Sequence, residues 1–153
     1  MSILLLALAL AAPGHHDADE DRSGRELRCT LKLHALDDLG QPQSARRVSA
    51  AKVPAVIFRG RVERGDEQAP ALLFDVYNPR GLRYQVLLGT PRVRAIERDG
   101  QRVERTTRTR EAALAVAGSS IALTSMYGVW RVEPRLEGDS RACGGPEYFT
   151  ITP

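Results

Sequence analysis

The chain has 153 residues, is 27% charged and 42% hydrophobic, and carries a formal net charge of +3. That is the size of one ordinary domain able to bury a core. No stretch approaches the roughly 20 apolar residues a membrane-spanning helix needs, which excludes a helical span. Twenty of the 22 basic residues are arginine, the exceptions being Lys32 and Lys52. A bias spread over the whole chain is no sign by itself of an arginine-specific ligand.

Ile3–Leu10 is a short apolar run bounded by Met1-Ser2 and Pro13-Gly14. It fits the apolar core of a secretory signal, and Ala9-Leu10-Ala11 has the small-x-small form of a cleavage site. Residues 1–11 are therefore expected to be a signal peptide, although no Lys or Arg precedes the apolar run. No cysteine adjoins the cleavage region, which argues against a lipid anchor. Residues 12–25, with Asp17, Asp19, Glu20 and Asp21, lack apolar periodicity and read as a flexible acidic leader. Export to the periplasm or the cell exterior follows. The two cysteines, Cys29 and Cys143, are then expected to pair. A loop of that length gives roughly 4 kcal/mol in the chain-entropy treatment.

From Leu27 the pattern has a period of two. Leu27 to Ala35 alternates apolar and polar, predicting a half-buried strand with Cys29 facing inward. A turn or loop follows at 37–42. Ala55–Glu63 reads as a strand with Val56, Phe58 and Val62 in the core around Gly60, a residue type that can mark a bulge. Arg64-Gly65-Asp66-Glu67 turns the chain. Ala71–Tyr77 and Leu82–Leu88 form a hairpin around Asn78-Pro79-Arg80-Gly81, with Pro second and Gly fourth in the turn. Arg92–Arg98 and Gln101–Thr107 flank Asp99-Gly100, a type I′ signal. Both arms are poor in apolar residues, which places this hairpin at an exposed edge. Glu111–Val116 fits either a short helix or a strand. Ser119–Thr124 and Tyr127–Leu136 read as strands, Gly138–Gly145 as a loop holding Cys143, and Tyr148–Thr152 as the closing strand. Some eight short strands with no long amphipathic helix predict an all-β domain over 26–153, a two-sheet sandwich in preference to a small barrel.

Phe74-Asp75-Val76-Tyr77-Asn78-Pro79-Arg80-Gly81-Leu82-Arg83-Tyr84 resembles a strand pair of bacterial extracellular immunoglobulin-like and macroglobulin-like modules. Ser125 to Val132, with its Gly128-Val129-Trp130 step, is similar to their penultimate strand, and Phe149-Thr150-Ile151 to their closing strand. The resemblance implies an immunoglobulin-like sandwich of seven or eight strands used for binding, adhesion or spacing, without catalysis. The chain departs from antibody-type domains in two respects. Cys29 and Cys143 are too far apart for the usual inter-sheet bridge, and Trp130 lies late. No functional residue is transferred, since function belongs to sites and not folds.

Enzyme signatures are missing: there is no Gly-x-Ser-x-Gly elbow, phosphate loop or His-Glu-x-x-His. His34 reads as a solvated histidine on the polar face of the first strand. His15, His16 and Asp17 offer imidazoles and a carboxylate of the kind divalent metals bind. They lie in the leader, where ordering the chain opposes capture. No cofactor is expected. The most unusual surface feature is Arg92, Arg94, Arg98, Arg102, Arg105, Arg108 and Arg110 against Glu97, Asp99 and Glu104. Such a stripe can hold phosphate, sulfated glycan or an acidic protein face, or it can guard the sheet edge against aggregation. It carries no aromatic side chains on which bases stack, which argues against nucleic acid. The leading expectation is an exported, non-enzymatic binding or structural module for a protein or a surface glycan. The alternative is a small envelope enzyme or enzyme inhibitor with a site built from loops.

Overall fold

The computed structural model describes residues 27–37, 39–63 and 70–153. The expected signal peptide, the leader with His15, His16 and Asp17, and the turn at 64–67 lie outside the described residues. The elements are β1 (Cys29–Leu36), β2 (Pro42–Ser44), β3 (Arg47–Ser49), β4 (Ala55–Val62), β5 (Leu72–Tyr77), β6 (Arg83–Leu88), β7 (Thr90–Arg98), β8 (Gln101–Ala115), α1 (Ser120–Leu123), β9 (Gly128–Leu136) and β10 (Glu147–Thr152).

Two five-stranded sheets form, in the orders β2-β1-β4-β8-β7 and β3-β10-β9-β5-β6. All neighbours are antiparallel except β3 with β10. Apart from β2 and β3, the first sheet follows the A-B-E-D order of an immunoglobulin sandwich and the second its G-F-C-C′ order. The fold is thus an all-β, immunoglobulin-like sandwich. The alternation expected from sequence holds in β1, β4, β5 and β9, whose inward residues fill the space between the sheets. Phe58, Phe74, Trp130 and Phe149 are fully buried there. Their rings meet at centroid distances of 5.8 to 6.3 Å, the range in which aromatic pairs add to area burial. The Trp130 indole N–H donates to Met126 O at 3.1 Å, so its buried polar atom is satisfied.

Cys29 of β1 is disulfide-bonded to Cys143 in the β9–β10 loop, across 114 positions. The expected hairpins are present. Gly81 N donates to Asn78 O at 2.9 Å, and Asn78 Oδ1 accepts from Arg80 and Leu82. At the second turn Asp99 and Gly100 have φ of 53° and 74°, the left-handed pair of a type I′ turn. Tyr127 lies just before β9 with its hydroxyl 3.5 Å from Ala122 O, the tyrosine-corner position.

Several expectations are corrected. Ser119–Thr124 is no strand: the Ser119 hydroxyl accepts from Ile121 N, Thr124 Oγ1 donates to Ser120 O, and a single helical turn results. Short side-chain bonds of this kind compete with a ladder. Gly60 is no bulge, because its register with Leu31 and Arg110 is continuous. Its missing side chain instead admits the opposite sheet: a Cβ there would press on the Leu72 side chain and the Phe74 ring. Gly60→Val should therefore cost about 1–3 kcal/mol by overpacking, read from the urea midpoint. A change below 0.5 kcal/mol would contradict that close approach. The register shifts lie elsewhere, between Val76 and Tyr77 in the β5–β6 pair and between Pro91 and Val93 in the β7–β8 pair. Beyond the first of these Leu87 packs on the core, while Val86 and Leu88 are exposed. Glu111–Val116, open between helix and strand, belongs to β8 as far as Ala115. That strand has 15 residues, well beyond what its weak apolar pattern suggested.

Candidate binding surface

β8 is longer than its partner on the sandwich. β4 pairs with β8 only from Thr109 to Ala115. From Thr106 to the turn β8 has β7 alone beside it, and every residue of β7 is exposed. The β7–β8 hairpin thus projects as a two-stranded arm of about 20 Å, at roughly 3.3 Å per residue.

Cross-strand pairing sorts the expected arginines onto two faces. Arg94 lies opposite Arg105, Ile96 opposite Val103, and Arg98 opposite Gln101. The other face pairs Val93 with Thr106, Ala95 with Glu104, and Glu97 with Arg102. Arg102 therefore sits between two carboxylates, away from Arg94, Arg98 and Arg105. In the first set Ile96 and Val103 form a small apolar centre, 36% and 43% exposed, ringed by arginines. Among the described residues neither Arg94 nor Arg105 has an acidic partner. Like charges directly opposite in a sheet are destabilising, by roughly 0.2–1 kcal/mol. Val93 and Ile96 are exposed on opposite faces of the arm.

The basic face continues onto the sandwich. Lys32, Arg59 and Glu111 stand in register across β1, β4 and β8, with Arg61 one step along the same face. Glu111 Oε1 bonds the Arg59 guanidinium and lies 3.8 Å from Arg92 Nε. One carboxylate is shared by two guanidiniums, while Lys32 and Arg61 have no acidic partner among the described residues. Lys32, Arg59, Arg61, Arg92, Arg94, Arg98 and Arg105 thus form a band from β1 to the tip of the arm, with Glu111 set among them. Asp99 caps the tip, 3.9 Å from Arg98. Arg110 is turned elsewhere, its Nη1 donating to Thr107 O at 3.0 Å.

His34 borders this band. Partial burial, then Arg59, Lys32 and Arg92, hold its imidazole below the ordinary 6.5, against the opposing pull of Glu111. A histidine lowered in the fold binds its proton more readily when unfolded. Its contribution to stability is full above pH 6.5 and declines as the pH falls through its lowered value. Following the His34 ring protons by NMR should give a midpoint below 6.5; a midpoint at or above it would contradict a cationic surround.

The contribution of Lys32, Arg59 and Arg61 was not singled out from sequence. Their polar alternation was visible, but the register that aligns them with the hairpin was not. On the opposite sheet, Asp75 and Glu133 face each other across β5 and β9, and each is engaged by an arginine: Asp75 by Arg135, Glu133 by Arg131. No helix among the described residues is long and apolar enough to cross a membrane.

No protein-family model matches the chain, and no curated protein matches it. Among solved structures the chain is similar to an immunoglobulin-like protein from Pseudomonas aeruginosa at 15% identity, covering 85% of this chain and 99% of that one with a TM-score of 0.44. That likeness assigns no residue and no ligand.

Proposed function

We propose that the protein is an exported, non-enzymatic binding module whose basic band engages an anionic surface component, a sulfated or phosphorylated glycan of the envelope. The observation that carries this reading is the gathering of seven basic side chains: Lys32, Arg59 and Arg61 on the sheet, Arg92 beside Glu111 where the register shifts, and Arg94, Arg98 and Arg105 on the arm, with the Arg94–Arg105 opposition left for an anion to relieve. Bound anions sit between such guanidiniums as bidentate partners. The Cys29–Cys143 bridge supports an oxidising compartment. In this reading residues 1–11 are a signal peptide, 12–25 a leader, and 26–153 the working domain.

The test is a titration with a sulfated hexasaccharide at low and high salt. Replacing Arg94, Arg98 and Arg105 together by Ala should weaken binding about tenfold or more, since three surface ion pairs at roughly 0.5–1 kcal/mol each exceed the 1.4 kcal/mol that tenfold requires. Arg102→Ala should leave affinity within about twofold, and salt should weaken the wild type steeply. Equal losses for the triple variant and Arg102→Ala, or no binding at low salt, would contradict the reading and leave a charge-guarded edge.

A further inference from the structure

The margin of the sandwich opposite the arm is incompletely paired in both sheets. β1 pairs with β2 only at His34, Ala35 and Leu36. β10 pairs with β3 only at Thr150, Ile151 and Thr152. Among the described residues, Leu31–Leu33 on one side and Glu147–Phe149 on the other therefore have a neighbouring strand on one edge alone. An open groove of about 440 Å³ runs between these segments, closed at one end by β2 and the residues after it.

The lining has the character of a strand receptor. Leu31 and Leu33, two positions apart, give it apolar walls, and Tyr148, 54% exposed, stands across from them. Lys32 and Arg46 supply positive charge, Glu147 the one carboxylate, and His34 an imidazole held below its ordinary range. Unpaired strand edges expose backbone N–H and C=O groups that water satisfies only until another strand arrives. In strand addition main-chain bonds give affinity and alternate side-chain sites give specificity. A sugar would use the charges of the groove but not its backbone edges.

We propose that this groove accepts a short extended peptide segment of a partner protein, which adds a strand to the free edge of β1 at Leu31–Leu33 and directs an acidic side chain to Lys32 and Arg46. The free length, three residues, spans about 10 Å and sets the size of the recognised segment. This site shares Lys32 with the basic band but none of the arm's arginines, so it is tested apart from the glycan with the arm variant.

The full chain, labelled for NMR, is titrated with an acetylated and amidated Thr-Val-Asp-Val-Thr peptide. Saturable amide shifts and slowed hydrogen exchange are expected at residues 31–33 and 147–149. Methylating alternate peptide nitrogens should weaken binding about tenfold or more, because the main-chain bonds are lost. The Lys32→Glu/Arg46→Glu variant should reverse the preference, binding a Thr-Val-Lys-Val-Thr peptide better than the aspartate peptide; both positions are on the surface, so the fold is retained. The triple Arg94/Arg98/Arg105 variant should bind the aspartate peptide like wild type, which separates this test from the glycan titration. Equal binding of the methylated peptide, shifts confined to other residues, or no binding up to millimolar peptide would overturn the proposal.

Discussion

Opening the Cys29–Cys143 bridge, by reduction or as Cys29→Ser/Cys143→Ser, is expected to lower the unfolding free energy by about 4–5 kcal/mol. The expectation rests on loop length: the bridge spans 114 positions, and loop-closure entropy removed from the unfolded chain grows with the logarithm of that number. The native side loses little. Cys29 N still donates to Cys143 O at 2.7 Å and Cys143 N to Pro134 O at 2.9 Å, so backbone bonds hold the loop against β1. Because the constraint acts on the unfolded chain, the denaturant slope should rise on reduction as the unfolded ensemble expands. Total stabilities of small domains are about 5–15 kcal/mol, so the bridge supplies a large share of the whole. Urea unfolding with and without reductant measures both quantities; a loss under 1 kcal/mol with an unchanged slope would place the stabilisation elsewhere.

Arg135→Ala is expected to cost about 3–5 kcal/mol. Asp75 lies on the outward-facing side of β5, yet it is only 4% exposed. Arg135 covers it, donating from Nε to Oδ2 at 2.6 Å and from Nη2 to Oδ1 at 3.2 Å, with Nη1 extended to Asp139 O at 3.0 Å. The hydrogen bond to Asp75 pushes the already high pKa of Arg135 further up, so the guanidinium stays charged at any working pH. Removing the guanidinium breaks both bonds and leaves the carboxylate without a cationic partner and with only the water that reaches the gap, a costly way to break such a pair. Replacing both residues, as Asp75→Leu/Arg135→Met, should recover most of the loss, since a buried ion pair often does no better than apolar side chains of similar volume. Chemical denaturation of the three variants checks this, and a double variant no more stable than Arg135→Ala alone would contradict it.

The parts of the fold legible in the sequence were those with a short-range cause. Alternation in Leu27–Ala35 and in Ala71–Tyr77 follows from one buried face per strand, and Asn78–Gly81 and Asp99-Gly100 encode their turns locally. Ser119–Thr124 misled because Ile121, Ala122 and Leu123 have strand-like apolarity, whereas the hydroxyls of Ser119 and Thr124 settle the turn as helix. Gly60 misled because a glycine admitting a neighbour and a glycine starting a bulge look alike until the opposite sheet is in place. The Cys29–Cys143 pairing needed only a count and a compartment argument.

The binding surface was half legible. The excess of arginine over residues 92–110 is plain, and its exposed placement follows from the poverty of apolar residues. Which arginines act together depends on register, which puts Arg102 between Glu97 and Glu104 and joins Arg94 and Arg105 to Lys32 and Arg59. Register over long separations is set by the packing of all strands together. The half-paired edges of β1 and β10 have no sequence signal, because they arise from where β2 and β3 stop.

If one face of the sheet and its arm is the contact surface, amide mapping by NMR with a sulfated hexasaccharide will locate it. Salt-sensitive, saturable shifts are expected at Lys32, Arg59, Arg61, Arg94 and Arg105, with Arg102 and Glu104 unmoved. Shifts spread evenly over both faces of the arm, or centred on the opposite sheet, would contradict it.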